Sequence, residues 1–290
     1  MKKFAIAIVL FLFLAGFAIA QRFGFGGGGG RGDNISYDAR TAREVPTHSY
    51  GFPEWTNQAG FEKDSFTFVR VKRLRNYGSG GSWSTDAPDS DLNFSYRLQQ
   101  LTSLKVDPDG RFLWLTDKAL TQYPFIYMVE PGTLYLDPDE IVALRRYLLN
   151  GGFLMLDDFW GNEEWANVGH VMKQVFPDRS FVELPLTHPL YQTVFPIRSK
   201  GQVPNINLGS SSEFDPEHRT AEPNHVGDTT TVHHWAIFDD KGRMMVIATH
   251  NTDNGDGWER EGENHYYFKT FAEPIAYPLG INIIFYAMTH

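Results

Sequence analysis

One stretch near the middle of the chain restricts the fold more than any other. "YPFIYMV" is apolar enough for a strand that is buried on both faces. Asp137 can cap the next helix, Pro138 takes its first position and Glu140 completes a capping box. Asn150-Gly-Gly152 can end this helix, because glycine readily adopts the left-handed backbone conformation of a helix C-terminus. "FLMLDD" follows as a second strand. Because such a connection joins parallel strands by a right-handed crossover, the sequence predicts a βαβ unit.

The same alternation of strands and helices extends over the rest of the chain. Strand patterns occupy "FTFVRV", "RFLWLTD" and "RSFVELP", and helix patterns begin near Ser90 and Asn162. "HWAIF-DDKG-RMMVIATH" predicts a hairpin with Gly242 in its turn, and Pro278 opens an apolar C-terminal helix. Residues 199–233 are polar and rich in turn formers, which indicates a surface insertion. Together these elements predict a three-layer, flavodoxin-like α/β domain with a mostly parallel sheet.

The first twenty residues have the pattern of a secretory signal peptide. Lys2 and Lys3 precede an uninterrupted apolar run that ends at Ala18-Ile-Ala20. The alternative, an uncleaved membrane anchor, needs a longer apolar span. The glycine-rich and polar residues 21–64 predict a flexible, disordered linker, and residues 65–290 predict the folded domain. We therefore expect export to the periplasm or the extracellular space, with no stable membrane insertion after cleavage.

Composition narrows the chemistry and the partners. The chain of 290 residues has no cysteine, which excludes a thiolate nucleophile and a cysteine-based zinc site. Its formal net charge of −9 argues against general nucleic-acid binding. The expected partner is accordingly a small molecule or a protein of the cell envelope.

Three loops should carry any ligand site, because open α/β sheets bind ligands beyond the carboxyl ends of their strands. They are Glu130-Pro-Gly132, Asp157-Asp-Phe-Trp160 and His250-Asn-Thr-Asp253, the last of which continues as "NGDGWERE". The candidate ligand-binding residues are Glu130, Trp160, Asp253 and Trp258, although a tryptophan more often belongs to the core.

Catalysis at these loops would use carboxylates and a histidine. Asp158 or Glu259 could act as acid or base together with His250. Two alternatives stay open: Asp157 or Asp158 caps the next helix, and His250 is a strand-end residue with satisfied hydrogen bonds.

The acidic loop after His250 also suggests a metal site. Asp253, Asp256 and Glu263 supply hard oxygen ligands among glycines, the chemistry that suits a divalent cation such as calcium. Thr252 stands where an EF-hand loop has its first aspartate, so an exposed acidic turn is the alternative.

Several motifs in order resemble a known family. "NFSYRLQQLTSLKVDPDGR", "YPFIYMVEPG", "LRRYLLNGGFLMLDDFWG", "RMMVIATHNTDNGDGWERE" and "YPLGINIIFYAMTH" resemble the domain of unknown function family 4159 over about residues 65 to 290. The "GGFLMLDD" unit and the hairpin that ends at His250 also resemble the class I glutamine amidotransferase-like superfamily. That resemblance implies a nucleophile turn near Asp158-Phe159, a catalytic histidine near His250 and an oxyanion loop at Glu130-Pro-Gly132. Since the chain has no cysteine, amidotransferase chemistry through a thiol is not expected.

Two functional hypotheses follow. The first is an exported domain that binds a ligand or an envelope partner at the strand-end site without thiol amidotransferase activity. The second is a carboxylate/histidine hydrolase, with or without the assistance of a divalent metal, that acts on a carbohydrate or envelope substrate.

Overall fold

A seven-stranded sheet forms the centre of the protein. The computed structural model describes residues 35–47, 54–57, 59–60, 64–74, 82–215 and 221–290. The predicted signal peptide and the glycine-rich start of the predicted linker lie outside these residues. The strands are β1 (Val69–Lys72), β2 (Arg111–Trp114), β3 (Phe125–Val129), β4 (Phe153–Phe159), β5 (Val182–Glu183), β6 (His233–Phe238) and β7 (Met244–His250).

The strand order in the sheet is β2-β1-β3-β4-β7-β6-β5. The five strands from β2 to β7 in this order are parallel, and β6 is antiparallel to both of its neighbours. The predicted βαβ unit is confirmed, because β3 and β4 pair in parallel from Phe125 opposite Phe153 to Val129 opposite Asp157. The predicted hairpin is confirmed as β6 and β7, with Gly242 at φ 82° in its turn.

Helices cover both faces of this sheet. They are α1 (Asp89–Leu101), α2 (Pro138–Leu149), α3 (Gly161–Val175), α4 (Ile206–Ser211), α5 (Asn254–Glu259), α6 (His265–Tyr267) and α7 (Tyr277–Thr289), with a π-helical segment (Phe268–Ala276) between the last two. Short 3₁₀ turns occupy Ala42–Glu44, Lys118–Gln122, Pro131–Thr133 and Pro189–Gln192.

Alternating side chains of the strands divide the core into two layers. Phe125 and Tyr127 of β3 pack with α1, α5 and α7, while Ile126 and Met128 pack with α2 and α3. This follows from strand geometry, since successive side chains point to opposite faces. The predicted three-layer, mostly parallel α/β architecture is thereby confirmed.

Three local features differ from the sequence-based expectations. Helix α1 begins at Asp89 with Pro88 in the N-cap position, so Ser90 is inside the helix rather than at its cap. Strand β5 has only two residues, both exposed, because it lies at the edge of the sheet. The C-terminal helix is preceded by a π-helical segment that contains Pro274, whose missing N–H interrupts the regular α-helical ladder.

Two stretches expected to lie outside the core are packed against it. Ala42, in the range assigned to the linker, is fully buried, and its N–H donates to the carbonyl of Asp109. Residues 199–233 were expected to form a surface insertion. Val203 in this range is fully buried, and its N–H donates to Thr252 Oγ1 at 2.9 Å. The insertion is thus bonded directly to the loop after β7, which polar composition alone did not reveal.

Within the residues that the structure describes, no helix has both the length and the apolar character needed to cross a membrane.

Candidate functional site

Backbone strain is concentrated at the carboxyl ends of the parallel strands. Four non-glycine residues of the described chain have a left-handed backbone: Asp86 at φ 63°, Glu130 at 47°, Asp158 at 58° and Asn251 at 61°. Glu130 follows β3, Asp158 is the penultimate residue of β4, and Asn251 follows β7. Such conformations cost about 1–3 kcal/mol each and persist where the surrounding structure fixes them, often at functional sites.

Acidic side chains gather at the same edge of the sheet. We call the following six residues the carboxyl cluster: Asp86, Glu130, Asp158, Asp253, Asp256 and Glu259. Asp86, Asp253, Asp256 and Glu259 are buried, whereas Glu130 and Asp158 are half-buried. Glu130 and Asp158 are therefore the members of the cluster that are most exposed to solvent.

Burial and mutual repulsion raise the pKa values of the four aspartates in this cluster. Burial raises the pKa of Asp86 well above its usual range, and the charges of Glu259 and Asp256 raise it further. Burial, with a further contribution from neighbouring carboxylates, likewise raises the pKa of Asp158 and of Asp253. For Asp256, burial and the nearby Glu259 raise the pKa to about 7. These side chains therefore hold protons, or require a cation, at a pH where an exposed aspartate is ionised.

Asp157 has a different role from its neighbour Asp158. It is fully buried and accepts hydrogen bonds from Tyr127 Oη at 3.1 Å, Asn254 Nδ2 at 2.7 Å and the Gly255 N–H at 3.1 Å, as well as from Thr249 Oγ1. It thereby ties β3, β7 and the start of α5 together. The capping alternative for this pair is wrong, because Trp160 is the N-cap residue of α3 and its N–H donates to Glu164.

The short helix α5 contains Asp256 and Glu259, and Asp253 is its N-cap residue. Asp253 accepts from the N–H of Asp256 at 2.7 Å and so caps this helix. Asp256 accepts from the N–H of Ile206 at 2.5 Å, which attaches α4 to the cluster. Arg260 lies beside two of these carboxylates, with its Nε 2.5 Å from Glu259 and 3.3 Å from Asp256.

His250 points away from the carboxyl cluster. Its Nε2 lies 2.9 Å from the carbonyl oxygen of Gly161, and its ring stacks on Phe159 at 4.9 Å. Burial lowers its pKa to about 4, so the ring is neutral at pH 7. This placement fits the alternative of a strand-end histidine with a structural hydrogen bond, although its Nδ1 is buried without a partner.

The two candidate tryptophans are both buried. Trp160 donates from Nε1 to Asp158 Oδ1 at 2.7 Å and so orients that carboxylate. Trp258 is completely buried in the core, where its ring lies 4.4 Å from that of Phe94. Neither ring presents a free face on which a sugar could stack in this conformation.

The three metal candidates of the sequence do not come together as a set. Glu263 is exposed and lies 3.4 Å from Arg260 Nη1. The structure instead brings together Asp86, Asp256 and Glu259, each with a carboxylate oxygen within 4.8 Å of the others. Asp86 was not a candidate, because it lies far from Asp256 in the sequence and no local motif marks it.

Asn251 is the second residue that sequence reasoning missed. It is fully buried, and its side chain accepts from the Gly161 N–H at 2.8 Å and donates to the carbonyls of Asp228 at 3.0 Å and Thr231 at 2.7 Å. Its own φ of 61° is one that asparagine tolerates better than most residues. Asn251 thus joins the start of α3, the insertion and the end of β7.

We expect Asn251→Ala to lower the free energy of unfolding by about 2–4 kcal/mol. The change removes three hydrogen bonds of a buried side chain and leaves an alanine in the left-handed region. Urea denaturation followed by tryptophan fluorescence measures the loss. Asn207→Ala, at an exposed position of helix α4, serves as the control and should change stability by less than about 0.5 kcal/mol. A loss of that small size for Asn251→Ala would contradict this role.

The fold and this edge define an α/β domain with an acidic strand-end site. The chain belongs to the family described as Domain of unknown function (DUF4159), whose model matches residues 67–288. A search of curated proteins gave no match to the chain.

Proposed function

We propose that this protein is an exported domain that binds a cationic or cation-carrying ligand at the carboxyl cluster. The observation that carries the proposal is the gathering of six carboxyl side chains at the strand ends, four of them buried. A buried group of like charges is costly unless protons or a bound cation compensate it. Arg260 supplies positive charge beside Glu259 and Asp256, and Arg73 supplies it near Glu130. The charge of Arg70 also acts on Asp86, but this guanidinium is already ion-paired with Asp91.

Export remains part of this proposal and is supported by the signal-peptide pattern of residues 1–20. The ligand can be a small molecule or a group presented by a partner in the cell envelope. Thiol amidotransferase activity is not part of the function, because the chain has no cysteine.

A relationship to the class I glutamine amidotransferase-like superfamily is also proposed. Its support is the end of β4, where Asp158 has φ 58° at a β-bulge between Asp157 and Phe159, shortly before helix α3. Nucleophile-elbow enzymes hold their reactive side chain at a strained strand-to-helix turn at the top of a parallel sheet. In this chain the strained residue at the strand end has a carboxyl that is hydrogen-bonded to Trp160.

A ligand screen by thermal denaturation tests the proposed function. The chain from Gln21 is measured at pH 7.5 with EDTA present against polyamines, amino sugars, neutral sugars and nucleotides, and in parallel without EDTA against metal salts. We expect positively charged or metal-containing ligands to raise the Tm, because a ligand at 100 times its Kd adds about 2.7 kcal/mol of stability. Neutral sugars alone should give no shift.

Asp158→Asn and Asp178→Asn provide the matched pair for this screen. Asp158 belongs to the cluster, whereas Asp178 is exposed beyond the end of α3. The ligand-induced shift should shrink in the first variant and persist in the second. Equal shifts in both variants, or no shift with any ligand, would overturn the proposed function.

The second candidate function is a hydrolase that uses carboxyl groups. The observation in its favour is that Asp158 and Glu130 are half-buried and that burial raises the pKa of both, as a general acid at neutral pH requires. Glu259 is more deeply buried, and His250 is bonded to Gly161, so neither has comparable support as the reacting group. Hydrolysis of chromogenic glycosides or esters that disappears in Asp158→Asn would favour this candidate over simple binding.

A further inference from the structure

We propose that Asp86, Asp256 and Glu259 form a calcium site at the strand-end edge. The inference rests on the proposed function and deepens it, because it names the cation and the side chains that hold it. The three residues come from two distant parts of the chain, the loop before α1 and the short helix α5. All three are buried, with 6%, 5% and 2% of their surface exposed.

The spacing of the carboxylate oxygens suits one bound ion. Each of the three residues offers an oxygen within 4.8 Å of the other two. Calcium binds oxygens at about 2.3–2.6 Å, so two ligands on opposite sides of the ion lie roughly 4.6–5.2 Å apart and adjacent ligands are closer. The spacing found here is therefore compatible with three oxygens around one calcium ion.

An unpartnered oxygen provides a second, independent indication. Asp86 Oδ2 is buried and has no hydrogen-bond partner in the structure. Buried polar atoms in proteins are nearly always bonded, so an exception at the centre of an acidic group needs an explanation. A cation would supply the missing partner. A further buried oxygen without a partner, Asn254 Oδ1, lies at the start of α5.

The backbone at Gly255 makes room for the Asp86 carboxylate. A Cβ added at this glycine would lie 2.3 Å from Asp86 Oδ2 and 3.0 Å from Tyr127 Oη. Any other residue at this position would push the carboxylate away from α5. The glycine of "NGDG" therefore allows the approach of Asp86 to Asp256 that sequence alone did not reveal.

The donor set selects a hard cation. All three candidate ligands are carboxylates, with no imidazole or thiolate among them, and such oxygen ligands suit calcium, magnesium or manganese rather than zinc or copper. Magnesium is usually held by one or two carboxylates and keeps several waters, whereas calcium accepts more protein oxygens in a flexible geometry. Three buried carboxylates thus favour calcium.

Arg260 accounts for part of the charge but not for the site. Its Nε contacts Glu259 and Asp256, and its side chain retains 19% exposure at the surface side of the group. No hydrogen bond or ion pair of Arg260 to Asp86 is found in the described part of the chain, and Asp86 Oδ2 remains without a partner. Arg70 also lies near Asp86, but its guanidinium is ion-paired with the buried Asp91. Arg260 beside the three carboxylates therefore leaves negative charge that a divalent ion can compensate.

Isothermal titration calorimetry with calcium chloride alone tests this inference. The chain from Gln21 is stripped with EDTA, dialysed to pH 7.5 and titrated, and the same experiment is run on Asp86→Asn, Glu259→Gln and the control Asp178→Asn. We expect one saturable site in the wild type and in the control. The two site variants should bind calcium at least about tenfold more weakly, because each loses a charged ligand.

Thermal denaturation in EDTA shows whether the site variants fold. We expect the Tm of Asp86→Asn in EDTA to equal or exceed that of the wild type, because an amide removes one repelling charge and keeps the shape. Glu259→Gln provides a second measurement if Asp86→Asn does not fold. Absence of calcium binding by the wild type would overturn the inference, as would equal affinity in folded site variants or tighter binding of magnesium or zinc than of calcium.

The outcomes separate this inference from the proposed function. If calcium gives no heat but a polyamine or amino sugar still shifts the Tm in EDTA, the calcium site is wrong and the binding function stands. If the metal salts and all other ligands have no effect, both fail.

Discussion

Arg70→Met is expected to lower the free energy of unfolding by about 3–5 kcal/mol, the cost of breaking a buried ion pair by removing one partner. Arg70 of β1 is fully buried, and its Nη2 lies 2.6 Å from Asp91 Oδ2 in helix α1. The substitution would leave the Asp91 carboxylate buried without its cation. It would also remove the Nη1 hydrogen bonds to the carbonyls of Trp83 at 3.1 Å and Thr85 at 2.8 Å.

The consequence should reach the carboxyl cluster. Trp83 and Thr85 lie three residues and one residue before Asp86. Through its hydrogen bonds to their carbonyls, Arg70 fixes the strained loop that carries the Asp86 carboxylate. We therefore expect Arg70→Met to weaken ligand or calcium binding in addition to destabilising the fold. Arg70→Lys should recover little of the loss, because an ammonium cannot reproduce the guanidinium fork.

Urea denaturation at pH 7 measures this effect, with Arg198→Met as the control. Arg198 is exposed, and its replacement should change stability by less than about 0.5 kcal/mol. A loss below about 1 kcal/mol in Arg70→Met would mean that the ion pair does not hold the loop and that Asp86 is positioned by other contacts.

Stability should fall as the pH rises from 6.5 to 8.5 in the presence of EDTA. The pKa of Asp256 is raised to about 7, and the pKa values of Asp86, Asp158 and Asp253 are raised well above their usual range by burial and mutual repulsion. Because the folded state binds more protons than the unfolded state in this range, ionisation of the cluster costs folding free energy as the pH increases. Bound calcium should make stability depend less on pH, since the ion compensates the carboxylate charge in place of the protons.

Histidines determine the choice of this pH window. Burial lowers the pKa of His234 to about 3 and that of His250 to about 4, so their protonation destabilises the fold below pH 6.5 and acts in the opposite direction. Both are neutral in the folded state above pH 6.5, and unfolded histidines, with a pKa of about 6.5, lose most of their protons by about pH 7.5. Their opposing contribution is therefore confined to the lower part of the window. His225 contributes in the same direction as the cluster, because its hydrogen bond to Glu164 raises its pKa.

Two variants show which titrating groups cause the dependence of Tm on pH. Asp86→Asn should make it shallower, whereas His225→Gln should leave most of it in place. A Tm that is constant or rises between pH 6.5 and 8.5 in EDTA would contradict the account of the cluster. So would a slope that vanishes only in His225→Gln.

Much of the architecture was predictable from the sequence because it depends on local signals. The Asp137–Glu140 capping box, the glycine stop at 151 and the apolar strands on either side defined the βαβ unit without any long-range information. The hairpin with Gly242 was equally local. Strand periodicity then assigned the two faces of the sheet.

The candidate site was only partly predictable because its residues meet through tertiary packing. The rule for open α/β sheets located the carboxyl ends of β3, β4 and β7, where Glu130, Asp158 and Asp253 do lie. It could not show that Asp86 would join them, since that residue precedes α1 and no spacing rule links it to α5. Nor could it show that His250 turns toward Gly161, which depends on the stacking of its ring on Phe159.

The central claim is that the buried carboxylates of Asp86, Asp256 and Glu259 form a calcium-binding site. A crystal structure of the calcium-soaked protein tests it most directly, through the anomalous difference density. The account predicts one strong peak at about 2.3–2.6 Å from oxygens of Asp86, Asp256 and Glu259. A calcium peak elsewhere, or none at this site from a crystal soaked in millimolar calcium, would contradict it.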